Sequence, residues 1–133
     1  MNCEKEIRKT KRRIYVAFGI LVTIVFAIIL ASVAYHDRHT FSTSKWANDI
    51  YHRYRIVSDL QEKYGLIGMT ESQVIELLGQ EDGKNQTSFK ISKDDYPAES
   101  TLVYFLGIDI MDNMWLILPI ENGEVVGMIE DIS

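Results

Sequence analysis

The chain has 133 residues, a hydrophobic fraction of 47% and a net charge of −5, and its charge is unevenly distributed. Residues 1–13 hold six Lys or Arg and two Glu, a net charge of +4, whereas residues 36–133 carry a net charge of −9. The acidic C-terminal part argues against binding to a nucleic-acid backbone, which requires clustered positive charge. Because Cys3 is the one cysteine, an internal disulfide is excluded and any domain must be held by its core.

An uncharged segment of 22 residues, 14–35, follows the basic residues Arg12 and Arg13. A helix of this length spans about 33 Å, close to the thickness of the hydrocarbon core of a bilayer. Tyr15 and Tyr35 mark its two edges, and amphipathic rings favour the membrane interface. The segment predicts a single transmembrane helix, and the predicted membrane-interface residues are Arg12, Arg13, Tyr15 and Tyr35.

The position of the positive charge predicts the direction of this span. Basic residues concentrate on the cytoplasmic side of transmembrane helices, so residues 1–13 are predicted to form a cytoplasmic head. The acidic part is then an extracytoplasmic domain held at the cell membrane. An alternative stays open, because Ser32 and Ala34 have the small-x-small spacing of a signal-peptidase site, and cleavage after Ala34 would release the domain. Whether Cys3 carries a lipid is left undecided.

The polar residues 36–43 are predicted to be a linker that leads into one small domain, residues 44–133. Early in that domain, apolar residues recur at steps of three or four, which is typical of an amphipathic helix. They are Trp46, Ile50, Tyr54, Val57, Leu60 and Tyr64. This pattern predicts a first helix over 44–64, with Tyr54 in the core and the charge of Arg53 in water.

Local capping signals mark the ends of the predicted helices. Gly65 follows the first helix at the position where a left-handed C-cap is expected. Thr70 and Gln73 have the spacing of a capping box, which predicts that a second helix begins there and runs over 71–78. Gly79 follows its last turn. A helix this short must dock on other elements to be stable.

From residue 86 onward the pattern changes to the alternation that is typical of strands. Strands are predicted over 86–92, 101–106, 114–120 and 125–129. Asn122-Gly123 predicts a type I′ turn between the last two, and Pro119 predicts that the third strand is at an edge there or ends. The expected fold is α+β: one N-terminal transmembrane helix, then a two-layer domain of two helices packed on a small antiparallel sheet of three to four strands.

Several short motifs between Val57 and Ile129 resemble the SmpA/OmlA (BamE-like) domain family. They are Leu66-Ile67-Gly68-Met69-Thr70, Val74 to Gly79, Tyr104-Phe105-Leu106-Gly107, the Trp115 to Leu118 strand and Asn122-Gly123-Glu124-Val125. The resemblance implies a non-enzymatic domain displayed outside the cytoplasmic membrane, in a family whose best-known members are lipoproteins of outer-membrane β-barrel assembly. This chain departs from that pattern, because no Cys follows the apolar segment and Glu81 stands where the family often has Pro.

The sequence contains few groups suited to catalysis or metal binding. His36 and His39 form an H-x-x-H pair, but no cluster of Cys or His completes a tetrahedral set with them or with His52. The acidic residues around Asp109 and Asp112 lack the spacing of a calcium loop. No nucleophile–base set and no phosphate-binding glycine loop is evident. We therefore expect no enzyme activity, no cofactor and no metal.

Apolar residues are in excess at one end of the predicted sheet. Ile108, Ile110 and Met111 fall in a loop between strands, and Trp115 and Ile117 occupy one phase of a strand whose other phase is also apolar. One phase is expected to face the helices, and the other is either exposed to a partner or covered by the loop. These five residues are the predicted partner-binding site, for another membrane or envelope protein. An inhibitor or ligand-sensing domain is the alternative function.

Overall fold

The computed structural model describes residues 2–82 and 100–132. The chain divides into two compact units, Met1–Arg38 and His39–Ser133. The strand predicted over 86–92 lies outside the described residues.

The first unit is one continuous helix, α1 (Asn2–His39). Its apolar stretch is long enough to cross a membrane and is exposed throughout among the described residues, a pattern shared by membrane anchors and N-terminal signal sequences. At about 1.5 Å per residue, α1 is about 57 Å long and exceeds the predicted span at both ends. Residues 36–39, predicted to be linker, form its last turn, because no Gly or Pro interrupts the helix there.

The second unit includes residues that directly follow α1. Phe41, predicted to be linker, is only 5% exposed and packs in the core of this unit. Its backbone N–H donates to the Oδ2 atom of Asp59 over 2.6 Å, which fixes the entry of the chain into the domain. The compact domain therefore includes part of the predicted linker 36–43.

Three short helices replace the single helix predicted over 44–64: α2 (Thr43–Asn48), a 3₁₀ helix (Ile50–Arg55) and α3 (Val57–Tyr64). The prediction of one helix was wrong. At Asp49 the backbone has φ of −119° and ψ of 62°, outside the helical region. Since apolar residues keep steps of three or four across this break, their periodicity does not reveal it.

The predicted helix ends are confirmed. Gly65 adopts a left-handed conformation with φ of 57° and ends α3. Thr70 and Gln73 form the predicted capping box at the start of α4 (Glu71–Leu78), with side chain and backbone bonded in both directions. Gly79 follows α4, and its N–H donates to the carbonyl of the last turn. These ends depend on neighbouring residues alone, which is why the sequence reveals them.

The four strands in the described part of the chain are β1 (Ser100–Asp109), β2 (Asp112–Glu121), β3 (Glu124–Val125) and β4 (Ile129–Ile132). They form one antiparallel sheet in which β2 pairs with β1 on one side and with both β3 and β4 on the other. The predicted α+β class and small antiparallel sheet are confirmed. The last predicted strand, 125–129, is divided between β3 and β4.

Pro119 lies where β2 is locally unpaired on one side. It faces Thr101 of β1, whereas on its other side it falls between the β3 and β4 pairings. Its carbonyl accepts from the N–H of Val126 over 2.9 Å, on the side of β2 that faces β3 and β4. Because the nitrogen and the carbonyl of one strand residue point to the same side, its ring nitrogen also points to this side, between the two pairings. The missing N–H therefore costs no ladder bond. The prediction of a strand edge or strand end was wrong, because β2 is paired with β1 here and continues to Glu121. Asn122 and Gly123, with φ of 52° and 79°, form the predicted turn beside it.

The sheet carries apolar side chains on both faces. One face packs on the helices and contributes Leu102, Tyr104, Leu106, Leu116, Leu118, Ile120 and Val125 to the main core. The opposite face holds a second buried cluster of Val103, Trp115 and Ile117, with Phe105 and Ile129 packed against it. The double burial explains why both phases of β2 are apolar.

Candidate interaction site

The hairpin between β1 and β2 ends in an exposed apolar loop. Its two residues, Ile110 and Met111, lie between the paired Asp109 and Asp112 and are 92% and 89% exposed. Ile110 has φ of 53°, which costs a β-branched residue about 1–2 kcal/mol, and loops of this length favour Gly, Asn or Asp. With half-exposed Ile108, these residues form the hairpin tip. The tip is therefore both strained and exposed.

A β-bulge sets the direction of this hairpin. The register of β1 against β2 shifts between Phe105 and Gly107, which leaves Leu106 as the extra residue. Gly107 has φ of 140°, and a Cβ atom there would lie 2.4 Å from the carbonyl oxygen of Tyr51. The strand therefore meets the backbone of the 3₁₀ helix at a distance that only glycine permits.

A pocket of about 270 Å³ lies between the 3₁₀ helix and the base of the hairpin tip. It is lined by Ile50, Tyr51, Arg53, Asp82, Phe105, Ile108 and Asn113. We call it the tip pocket. Tyr51 and Phe105 meet edge to face in its wall, with ring centroids 5.7 Å apart. Apolar walls around a few polar groups are typical of a recognition site, although this pocket is smaller than most ligand sites.

Arg53 forms the buried polar floor of the tip pocket and is only 5% exposed. Its Nε donates to the carbonyl of Trp46 over 2.6 Å, and its Nη1 donates to the carbonyl of Phe105 over 3.1 Å and to the carboxylate of Asp82. The guanidinium carbon lies 4.7 Å from the centroid of the Trp46 ring. The prediction that this charge is in water was wrong, because the helix break turns Arg53 inward and its partners satisfy it.

Two carboxylates occupy the outer edge of β1 beside the pocket. The N–H of Val103 donates to Glu81 Oε2 over 3.1 Å, and the N–H of Phe105 donates to Asp82 Oδ2 over 3.3 Å. The backbone N–H of Asp82 donates to the carbonyl of Val103 over 3.0 Å. This segment therefore satisfies backbone groups that an edge strand would otherwise expose. Glu81, a departure from the resembled family, has a structural role here.

The structure separates the five residues of the predicted partner site. Ile108, Ile110 and Met111 are exposed, whereas Trp115 and Ile117 are 0% and 1% exposed in the second cluster. That face of β2 is buried, as one of the two alternatives expected, but Ile110 and Met111 of the loop that was expected to cover it stay exposed. Buried side chains offer no surface to a partner, so Trp115 and Ile117 support the hairpin from beneath rather than extend the tip.

Sequence reasoning missed the exposed wall that the 3₁₀ helix adds. Ile50 was predicted to be in the apolar stripe of a helix, yet it is 38% exposed, and Tyr51 is 57% exposed. Both line the tip pocket beside Ile108. The adjacent Ile50-Tyr51 pair was the available signal, since neighbouring positions on one helix do not share a face.

The predicted membrane-interface residues all lie on α1. Arg12, Arg13, Tyr15 and Tyr35 are exposed, the two tyrosines by 74% and 66%. They flank the apolar stretch on either side. Their placement fits an interface role, which stays a prediction.

The histidines do not converge on a site. His36 and His39 lie in the last turn of α1, and His52 places Nδ1 2.7 Å from Asp49 Oδ1 on the surface of the second unit. Within residues 2–82 and 100–132, no three side chains of His, Cys, Asp or Glu are grouped as a metal site would require.

Among the described residues, Tyr104 is the titratable group that its surroundings perturb most clearly. Burial raises the pKa of its phenol, and the Asp82 and Glu81 carboxylates raise it further. Its hydroxyl donates to the carbonyl of Gly79 over 2.8 Å. A neutral, hydrogen-bonded tyrosine in the core joins β1 to the end of α4, which is a structural task.

A scan against protein-family models and searches of curated proteins and of solved structures give no match to this chain. The SmpA/OmlA resemblance therefore rests on the motifs quoted above and stays a prediction.

Proposed function

We propose that this protein is a single-pass, membrane-anchored, non-enzymatic interaction module, whose second unit is displayed outside the cytoplasmic membrane. The observation that carries the proposal is the hairpin tip, with Ile110 and Met111 about nine-tenths exposed. Burying such a side chain in a partner contributes about 1.5–3 kcal/mol. Association would therefore supply the free energy of hydrophobic burial that these exposed side chains lack in the free domain.

The surroundings of the tip favour a particular kind of partner. Exposed Asp109 and Asp112 flank the loop, and the acidic composition of residues 36–133 adds to their charge. A partner with an apolar recess rimmed by Lys or Arg would complement both features. Anchoring by α1 would raise the local concentration of the domain near other membrane proteins. An envelope assembly or accessory factor, as the SmpA/OmlA resemblance implies, fits this arrangement.

The test places a photo-crosslinking amino acid at Met111 of the full chain in its own cells. A discrete adduct is expected from position 111. The additional substitution Ile110→Asp, at the neighbouring position of the tip, should abolish this adduct. The matched control is Val126, which is 48% exposed but lies beyond β3, so a crosslinker there should give no such adduct. Equal adducts from both positions, or none from position 111, would overturn the assignment of the tip.

The tip pocket favours a second candidate, an inhibitor or ligand-sensing domain. Its polar floor at Arg53 and apolar walls could receive one side chain or a small ligand. Cleavage after Ala34 would then yield a freely exported domain. The mass of the mature protein separates the two candidates: an intact chain of 15.3 kDa in the membrane fraction supports the anchor, and a soluble chain beginning at Tyr35 supports release.

A further inference from the structure

The N-terminal residues continue α1 as a helix and place four basic side chains on one side of it. At about 100° per residue, these side chains fall within an arc of about 100°. They are Lys5, Arg8, Lys9 and Arg12, which line a common groove with Glu4 at its edge. All four are exposed. We call them the basic stripe.

The opposite side of the same helical turns carries no charge. Cys3, Ile7, Thr10 and Ile14 lie there, about 150–170° from the centre of the basic stripe. The remaining charged residues of the head, Glu4, Glu6, Lys11 and Arg13, lie between these two sides and cancel in sum. The excess positive charge of the head is therefore concentrated on one face. A helix that is simply rich in Lys and Arg need not place its charge on one side.

We propose that the basic stripe binds the phosphate groups of anionic phospholipids in the membrane that α1 enters. This proposal rests on the proposed function, because it requires that α1 remains as an anchor. Arg12 lies two residues before the apolar stretch, and Lys5 lies about 13 Å from it along the helix. This distance falls within the headgroup layer and one Debye length beyond it. Arg presents paired donors to phosphate oxygens, and Lys adds a point charge.

The experiment measures lipid selectivity of the full chain in bilayers of phosphatidylcholine with a minor fraction of phosphatidylglycerol. Electron paramagnetic resonance of spin-labelled lipids gives the motionally restricted fraction of each lipid at the protein. Lys9→Gln removes one charge from the stripe. Lys11→Gln removes the same residue type from outside the stripe and closer to the apolar stretch. The second variant therefore controls for charge and for proximity together.

Lys9→Gln is expected to lower the preference for phosphatidylglycerol by about fivefold, since each basic side chain at an anionic surface contributes about that factor. Lys11→Gln should change it by less than about twofold. Added salt should reduce the preference of the native chain. An equal or larger effect of Lys11→Gln, or no preference in the native chain, would overturn the proposal.

A third variant, Ile110→Asp, keeps the two proposals distinguishable. It alters the hairpin tip and should leave lipid selectivity unchanged while it abolishes the crosslinked adduct. An adduct that persists in Ile110→Asp would overturn the assignment of the tip and leave the lipid proposal standing, whereas altered lipid selectivity in this variant would overturn the assignment of that selectivity to the basic stripe.

Discussion

Arg53 and Asp82 form an ion pair between the 3₁₀ helix and the segment that follows α4, and the same carboxylate accepts the backbone N–H of Phe105. This partly buried pair thus joins three parts of the second unit that are distant in sequence. It also forms the floor of the tip pocket, so the pocket and the fold depend on the same contact.

Replacing Arg53 by Met should destabilise the second unit by about 2–4 kcal/mol, because the Trp46 and Phe105 carbonyls and Asp82 lose their donor. Urea unfolding followed by near-ultraviolet circular dichroism measures the change. The matched control is Lys63→Met, which removes a surface pair 2.8 Å from Asp59 and should cost no more than about 0.5 kcal/mol. Similar losses for both variants would contradict the role assigned to Arg53.

Gly107→Ala should destabilise the domain by more than about 2 kcal/mol, since its Cβ would collide with the Tyr51 carbonyl and its φ is positive. Gly127→Ala is the comparison, because a Cβ there would lie 3.7 Å from Pro119 Cδ, an ordinary contact. That variant should stay within about 0.5 kcal/mol of the native chain. The same urea unfolding measures both variants. If Ala is tolerated at position 107, the 3₁₀ helix can move away from β1 and the account of this contact is wrong.

Tyr104 should make the second unit less stable in alkali. Its pKa is raised in the folded state, so above about pH 10 the unfolded chain loses this proton first and the unfolded state binds fewer protons. Stability from this group is complete below that pH and falls as pH rises, by about 1.4 kcal/mol per pH unit. Tyr104→Phe should cost about 1 kcal/mol at pH 8, through its lost hydrogen bond to Gly79.

The comparison between pH 8 and pH 11 isolates Tyr104, because the other titrating groups are common to both chains. The native chain should lose its advantage over Tyr104→Phe by pH 11. A difference between the two chains that stays constant with pH would mean that the phenol titrates alike in the folded and unfolded states.

Ile110→Asn should raise stability and lower partner binding at once. Asn tolerates the left-handed backbone of this position, so about 0.5–1 kcal/mol of strain should be relieved. The apolar tip loses the most exposed of its three apolar side chains. Unfolding and crosslinking from Met111, measured on the same variant, test the two effects. A less stable variant, or one with a full yield of adduct, would disagree with this account of the tip.

Trp115→Ala should destabilise the domain by about 3–5 kcal/mol, because the ring is buried against Phe105 with centroids 5.4 Å apart. Met111→Ala, at an exposed position, should change stability by no more than about 0.5 kcal/mol. Hydrogen exchange of the β1 and β2 amides measures both. The contrast matters for interpreting binding data, since loss of a partner in Trp115→Ala would report unfolding, not the loss of a contact.

The elements predicted well from the sequence are those that neighbouring residues determine. The Thr70–Gln73 capping box, the Gly65 cap and the Asn122-Gly123 turn depend on residues within four positions of one another. The apolar stretch of α1 needs only its composition. Such signals survive in any tertiary context, because the groups that satisfy them are adjacent in the chain.

The burial of Arg53 could not be predicted in this way. Its partners lie 29 positions away at Asp82 and 52 positions away at Phe105, and apolar periodicity counts an arginine as polar wherever it points. The bulge at Leu106 was hidden for the same reason, since it is defined by pairing with β2. The candidate site therefore combines a tip visible in the sequence with a pocket that only the folded chain assembles.

Both tryptophans of the chain, Trp46 and Trp115, are buried in the second unit, and α1 contains neither. One ring lies against a guanidinium and the other against a phenylalanine, so their emission should differ in colour and quenching. Fluorescence excited selectively from tryptophan is therefore an optical signal from the second unit alone, whereas Tyr15 and Tyr35 of α1 emit only when tyrosine is excited as well. Folding of the domain is observable in this way without a label.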